Sequence, residues 1–264
     1  MASIGFIGAG KMAEALISKL GSPKKIIASD ISPKRLSYLK KKYKIKTTRS
    51  NSEVFTKAKI IILAVKPQDM RDVRCDMRDV KRGVLFISIV AGIPLSYLQK
   101  KLPGVPVVRA MPNNPALVGM GVTAVTKGKG VSREQFKKAE AIFKAVGEVV
   151  EVKESLMDAV TGLSGSGPAY VYQFIESLVQ GGYAVGLPRN ISAKLAVMTV
   201  LGAAYTVLTT GKSPSELRKM VTSPGGTTIE GLSALKRGKF SKVLIEAVLA
   251  ASKKSKKLSH QWTL

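Results

Sequence analysis

Cysteine, histidine and acidic side chains are all scarce in this chain. Its 264 residues include one cysteine, Cys75, and one histidine, His260. A single cysteine forms no internal disulfide, which fits a reducing cytoplasm. His260 stands in a polar tail far from Cys75 in sequence, so no Cys–His nucleophilic pair is in view. No cluster has metal-ligand spacing, so no metal is expected. Long hydrophobic runs are also missing: Gly, Pro or polar residues interrupt them within about ten positions, short of the ~20 needed for a membrane span. The first strand begins within three residues of Met1, without a basic leader and cleavage site, which argues against secretion.

The shortage of acid leaves 17 Asp and Glu against 43 Lys and Arg, a net charge of +26. The excess is uneven. Residues 1–150 carry 29 basic and 10 acidic side chains, and residues 151–264 carry 14 and 7. The cluster Lys40, Lys41, Lys42, Lys44 and Lys46 could meet a polyanion. It lacks interleaved aromatics and any nucleic-acid motif, so a solvated lysine surface is the simpler reading. A basic nucleotide- or nucleic-acid-binding protein without catalysis is the rival class. The same field would favour an anionic cofactor and an anionic substrate.

What is present is 45% hydrophobic residues and 24 glycines in a chain long enough for one large or two modest domains. The first half alternates strand and helix. Strands are expected over 3–7, 26–29, 60–65, 84–89, 105–109, 122–126 and 149–152. Helices are expected over 13–20, 33–43, 96–101 and 133–145. Residues 69–82 repeat DMRDV at a spacing of seven, which suggests two equivalent faces of one helix. The run IIILAV is apolar throughout, as a parallel strand buried on both faces should be. This alternation predicts an α/β, Rossmann-type doubly wound sheet. Beyond residue 153 the strand signal stops. Helices over 166–185, 192–210, 214–220, 228–237 and 240–258 predict an all-α half with wide apolar faces, as in LAVMTVLGAAYTVL, suited to a dimer. The expected division is a dinucleotide-binding domain over 1–152 and an α-helical substrate-binding and dimerisation domain over 153–264.

Two glycine turns carry the chemistry. Gly8-Ala9-Gly10-Lys11-Met12-Ala13 follows a strand, opens a helix and precedes an acid, Asp30, about 20 residues on, the pattern of a dinucleotide site. Gly8 allows the tight turn, Gly10 lets a pyrophosphate approach the backbone, and Ala13 lets helix and strand pack closely. The second turn is Val221 to Thr228, VTSPGGTT. Glycines before a helix leave backbone N–H groups uncovered, where the helix dipole favours an anion. The hydroxyls of Ser223, Thr227 and Thr228 can add donors.

In order along the chain stand GFIGAGKMAEAL, AVKPQ, VRAMPNNPA, LSGSGPAY and VTSPGGTT. Together these strings resemble the pyrroline-5-carboxylate reductases, from Ile4 to about Lys257. The resemblance implies NADPH- or NADH-dependent reduction of a cyclic imine to L-proline in a cytoplasmic homodimer or higher homo-oligomer joined through the C-terminal helices. It implies that Gly8, Ala9, Gly10, Lys11 and Met12 meet the dinucleotide pyrophosphate. Ala64, Val65, Lys66 and Pro67, with Ala91 and Gly92, would lie beside the nicotinamide ribose, and Asn51 near the adenine ribose. It further implies that Ser223, Gly225, Gly226, Thr227 and Thr228 cradle the substrate carboxylate, with the Thr228 hydroxyl serving the imine nitrogen as the catalytic group. LSGSGPAY would support that cleft or serve close packing, and Met111-Pro112-Asn113 would wall the nicotinamide. Lys11, where many relatives carry Asn or a small polar residue, could pair with a phosphate. Asp30 favours a ribose 2′-hydroxyl and so NAD, whereas Ser32, Lys34 and Arg35 could hold the 2′-phosphate of NADP. A β-hydroxyacid dehydrogenase begins similarly but carries a lysine early in its long interdomain helix, and residues 168–182 contain none.

Overall fold

A computed structural model describes residues 3–73, 80 and 83–262. It divides into two compact units, Met1–Ser166 with Leu249–Leu264, and Gly167–Val248.

The first unit is built on one eight-stranded sheet. Its strands are β1 (Ile4–Ile7), β2 (Ile26–Ser29), β3 (Lys46–Thr48), β4 (Ile60–Leu63), β5 (Leu85–Ser88), β6 (Val107–Met111), β7 (Gly121–Lys127) and β8 (Gly147–Glu151). They lie in the order β3-β2-β1-β4-β5-β6-β7-β8. Strands β1 to β6 pair in parallel, β7 runs antiparallel to β6, and β8 is parallel to β7. The order 3-2-1-4-5-6 is that of a dinucleotide-binding sheet. Successive side chains alternate between faces. Phe6, Ile62, Ile87 and Val108 enter one buried cluster, and Ile7, Ile61, Leu63, Phe86 and Val107 enter the other. Both faces are covered, which is why the run at 60–63 is apolar without alternation.

The connecting helices are α1 (Lys11–Lys19), α2 (Pro33–Tyr43), α3 (Asn51–Lys57), α4 (Leu95–Lys101) and α5 (Arg133–Lys144). Their starts are written in sequence. Ser32 and Ser50 accept the N–H groups of Arg35 and Glu53, and Ser132 with Gln135 forms a reciprocal capping box. Both β3 and α3 escaped the sequence reading. β3 is three residues long, but the Ser50-x-x-Glu53 pattern marks α3. The helix expected over 69–82 is a 3-10 segment, Pro67–Asp72, as far as it is described; Arg74 to Asp79, Cys75 included, lie outside the described residues.

After β8 come α6 (Met157–Val160) and a π-helical turn, Thr161–Gly165. Then follow α7 (Gly167–Ala184), α8 (Arg189–Thr210), α9 (Pro214–Met220), α10 (Thr227–Arg237) and α11 (Phe240–His260), as the all-helical expectation required. Within residues 167–248 only Ser192 and Ala196 are buried. Helix α8 is apolar on every side, with Leu195, Met198, Leu201, Tyr205 and Leu208 each more than half exposed. The sequence reading found no run able to span a membrane. As a 22-residue helix, α8 is long and apolar enough to do so, and little of it is buried. Scattered Gly, Ser and Thr interrupt the run without adding charge.

One buried ion pair ties the first unit together beyond the sheet. Arg109 of β6 is 4% exposed and donates through Nη1 to Glu154 Oε1 at 2.6 Å. The same oxygen accepts the Leu95 N–H at 3.0 Å, where α4 begins. Glu154→Ala strands a buried guanidinium and is expected to lower stability by about 3 kcal/mol. Arg109→Met removes the buried charge and leaves Glu154, a side chain one-third exposed that still accepts the Leu95 N–H, so it is expected to lower stability less. Urea midpoints of the two variants check the ordering.

Candidate active site

The dinucleotide turn is set by how β1 ends. The Gly8 N–H donates to Ser29 O at 2.9 Å, and the Ala64 N–H donates to Ile7 O at 2.7 Å, so the chain leaves the sheet paired on both sides. Gly8 has φ +92°, and a Cβ there would stand 2.7 Å from Ala64 O. Only glycine fits. Ala9, fully buried, gives its N–H to Asp30 Oδ2 at 2.7 Å, and the Ser32 N–H reaches Asp30 Oδ1 at 2.8 Å. The acid expected to face a ribose thus binds the turn to the start of α2 through both oxygens. Gly10 precedes α1, no side chain caps the helix there, and a Cβ at Gly10 would meet nothing within 4 Å. A phosphate has room against this backbone, on the positive end of a nine-residue helix. Lys11 is exposed in the first turn, Met12 is partly buried beside it, and Ala13 is packed in the core.

The other expected cofactor contacts gather at the carboxyl ends of neighbouring strands. Ala64 and Val65, partly buried, and the exposed Lys66 with Pro67 follow β4; Ala91 and Gly92 follow β5. Strands β1 and β4 meet where the strand order reverses, the place at which such sheets bind ligands. Gly92 has a second reason to be glycine: its Cβ would lie 3.0 Å from the Leu258 Cβ of α11. Asn51 begins α3 and accepts the Ser29 hydroxyl at 2.7 Å, beside the end of β2. Met111 ends β6, and Asn113 Oδ1 accepts the Val122 N–H at 2.9 Å. A Cβ on Gly165, in the π-helical turn of LSGSGPAY, would be 2.7 Å from Met111 Cε, so that glycine serves close packing.

Sequence reasoning passed over the group behind the turn. Glu14 is 6% exposed on α1. It accepts from Arg35 Nη2 at 2.5 Å, the Tyr38 hydroxyl at 2.8 Å, and Lys42 Nζ and the Tyr43 hydroxyl at 3.1 Å each. Burial pushes its carboxyl up, but the bonds from Arg35, Tyr38, Lys42 and Tyr43 outweigh that and hold it at about 2. The Tyr38 and Tyr43 hydroxyls, with Glu14, raise the Lys42 ammonium in turn. The signal in sequence was an acid inside an apolar helical run, AEALI. Arg35 also donates from Nε to Ala9 O at 2.5 Å and from Nη2 to Gly10 O at 3.2 Å.

In the second unit the anion turn joins α9 to α10. Thr222 donates its hydroxyl to Arg218 O at 2.7 Å, and the Gly226 N–H donates to Ser223 O at 3.1 Å. Gly225 has φ +70°, and Gly226 is extended. A Cβ on Gly226 would stand 2.5 Å from Ser223 Oγ, so the hydroxyl lies directly over the start of the helix. No side chain caps α10, and Thr227 and Thr228 are exposed in its first turn. The N–H groups that open this helix are therefore served by no cap, and hydroxyls surround them. This fits a carboxylate.

Both turns lie within stretches that match known family models. Residues 154–258 match the family model described as pyrroline-5-carboxylate reductase dimerisation, and residues 3–92 match one described as NADP oxidoreductase, coenzyme F420-dependent. A pyrroline-5-carboxylate reductase of Synechocystis is 46% identical over 260 residues, 97% of each chain. A structure of the Coxiella burnetii pyrroline-5-carboxylate reductase superposes with a TM-score of 0.89 at 35% identity, covering 98% of each chain. The Plasmodium falciparum pyrroline carboxylate reductase, solved with NADP bound, gives 0.88 at 33% identity, again over 98% of each chain.

The depressed Glu14 carboxyl makes a stability prediction. Its folded value, about 2, lies below the ordinary 4.5, so its contribution is complete above about pH 5 and is lost as pH falls toward 2. The difference corresponds to about 3 kcal/mol at pH 7 and roughly half that near pH 3. Glu14→Gln removes this term. Urea unfolding of parent and variant is expected to show a stability gap that is constant from pH 7 to 5 and narrows below it.

Proposed function

The chain belongs to the pyrroline-5-carboxylate reductase family, and on that premise we propose that it reduces 1-pyrroline-5-carboxylate to L-proline with NADPH or NADH. What supports the reading most directly is the uncapped start of α10, whose free N–H groups suit an anion, in a chain that also carries a dinucleotide turn. When bound, the reduced nicotinamide supplies the hydride that the imine carbon accepts. In our reading, the chain's own residues hold the two reactants. Gly8, Ala9, Gly10, Lys11 and Met12 seat the pyrophosphate, Gly10 and Lys11 through backbone N–H groups. Asp30 and Asn51 shape the ribose side, and Ala64, Val65, Lys66, Pro67, Ala91 and Gly92 line the nicotinamide end. The Ser223 hydroxyl and the N–H groups of Gly225, Thr227 and Thr228 take the substrate carboxylate, while the Gly226 N–H holds the turn closed through Ser223 O.

The imine nitrogen must be hydrogen-bonded or protonated for its carbon to accept hydride, and it becomes an amine. Thr228, directly or through a water it orients, is the group we assign to that nitrogen. A strong general acid is unnecessary, which agrees with the scarcity of histidine. The division of labour we infer is dinucleotide binding over 1–152, and substrate binding with dimerisation over 153–264. Homo-oligomer formation itself follows from the matched dimerisation domain. We assign the interface to the apolar faces of α7, α8 and α11, and we place the enzyme in the cytoplasm.

Two measurements test this. Oxidation of NADPH or NADH, followed at the nicotinamide absorbance, is expected only when pyrroline-5-carboxylate is added; folded protein inert with both cofactors would sink the assignment. Thr228→Ala is expected to lower kcat/KM roughly 10- to 1000-fold, while Thr228→Ser keeps most activity. Competitive inhibition by proline is expected to weaken less, since the backbone donors remain. For the interface, Leu201→Lys combined with Leu208→Lys is expected to shift the light-scattering mass toward that of one chain.

A further inference from the structure

Arg35 is the residue whose chemistry is most open to two readings. In sequence it is a candidate for the 2′-phosphate of NADP. Two of its three guanidinium nitrogens are instead spent on the glycine turn and on Glu14. Nε meets Ala9 O, and Nη2 meets both Gly10 O and Glu14 Oε2. Each trans peptide points its C=O and N–H in opposite directions. The Ala9 carbonyl shares its plane with the Gly10 N–H, and the Gly10 carbonyl with the Lys11 N–H. Pinning the two carbonyls on the Arg35 side therefore aims the two donors away from Arg35. The Ala9 N–H is already committed to Asp30, so Gly10 and Lys11 head the set left for a phosphate. Glu14 seats the guanidinium, and Tyr38 stacks under it at 5.0 Å.

We propose that Arg35, seated by Glu14, is a positioning residue for the pyrophosphate of either dinucleotide and takes no part in distinguishing a 2′-phosphate from a 2′-hydroxyl. This rests on the reductase reading above. The consequence is specific, because NADH and NADPH share the pyrophosphate and differ only at the 2′ position. Arg35→Lys keeps the charge and loses the fork. It is expected to raise the Kd of the ligand-free enzyme for both cofactors by about tenfold, the scale of one lost charged hydrogen bond, with their ratio unchanged. At saturating cofactor the KM for pyrroline-5-carboxylate is expected to stay within twofold of the parent. Titration by nicotinamide fluorescence, with circular dichroism and the thermal midpoint as controls, gives these values. Weakening of NADPH alone would make Arg35 a 2′-phosphate ligand and overturn the proposal. A lowered midpoint with both Kd values unchanged would make its role merely structural and overturn it equally. Glu14→Gln loosens the guanidinium without removing it and is expected to give a smaller, equal loss for both cofactors; it decides the matter should Arg35→Lys fail to fold. A parent protein that binds neither dinucleotide would defeat the reductase reading itself, a different result from variants that bind like the parent.

Discussion

Residues 167–248 have almost no interior, and much else in the protein follows from that. Helices are stable in water when an apolar face is buried. Here only Ser192 and Ala196 are buried, while α8 exposes leucine, methionine and tyrosine all round. Charge and glycine do not compensate for an apolar surface of this extent. The matched dimerisation domain supports association of further copies of the same chain, and in the interface proposed above these copies cover the exposed helices. The anion turn at Ser223 to Thr228 lies in this unit. Its backbone donors can be held in one arrangement only when α9 and α10 are themselves held. On the proposed reading, in which this turn holds the substrate carboxylate, substrate binding and assembly are coupled by mass action.

The first unit solves the opposite problem. Its sheet is buried on both faces, and the difficulty lies at the strand ends, where backbone groups must be satisfied without filling the ligand's place. Asp30 takes the Ala9 N–H, Arg35 takes two carbonyls, and Gly8 makes the turn that no side chain would permit. What is left uncovered is the space beside Gly10 and the first turn of α1. In the network behind it Glu14 is buried, Arg35 and Tyr43 are half-buried, and Tyr38 and Lys42 are exposed. Losing Arg35 there leaves the buried Glu14 carboxylate short of its guanidinium partner, which costs more than the pair contributes in sum.

Most of the architecture was legible. Parallel strands announce themselves as unbroken apolar runs, helices by their Ser and Pro starts, and both turns by glycine spacing. The doubly wound sheet, too, follows from the β/α alternation with one glycine turn at its head. What was not legible has physical causes. Lys46–Thr48 is too short to show a period, and the antiparallel reversal at β7 leaves no mark distinguishing it from a parallel strand. Asp69 to Asp72, the described start of the DMRDV repeat, lie in a 3-10 segment opened by Pro67, although their pattern reads as α-helical. At the site, sequence shows which residue types stand near each other but not where their polar atoms are spent. Asp30 and Arg35 read as rivals over one ribose. In the fold they are two clasps on the same turn.

That difference bears on the question of cofactor choice. A sequence rule that scores an acid against a base after the second strand assumes both face the ligand. When both oxygens of the acid accept backbone N–H groups, and the base holds backbone carbonyls, neither is free to reorient without unmaking the turn. On the proposal that both act as clasps on the turn, discrimination between the two dinucleotides falls to groups that can move. Lys34 is exposed on the first turn of α2, Ser32 is only partly buried before it, and both stand on a surface with a large excess of positive charge. Such groups act through screened, adjustable contacts rather than a fixed fork, and a 2′-phosphate would gain from them chiefly at low ionic strength. A chain can in this way keep a rigid pyrophosphate seat and still use both cofactors, because rigidity and selectivity are carried by different side chains.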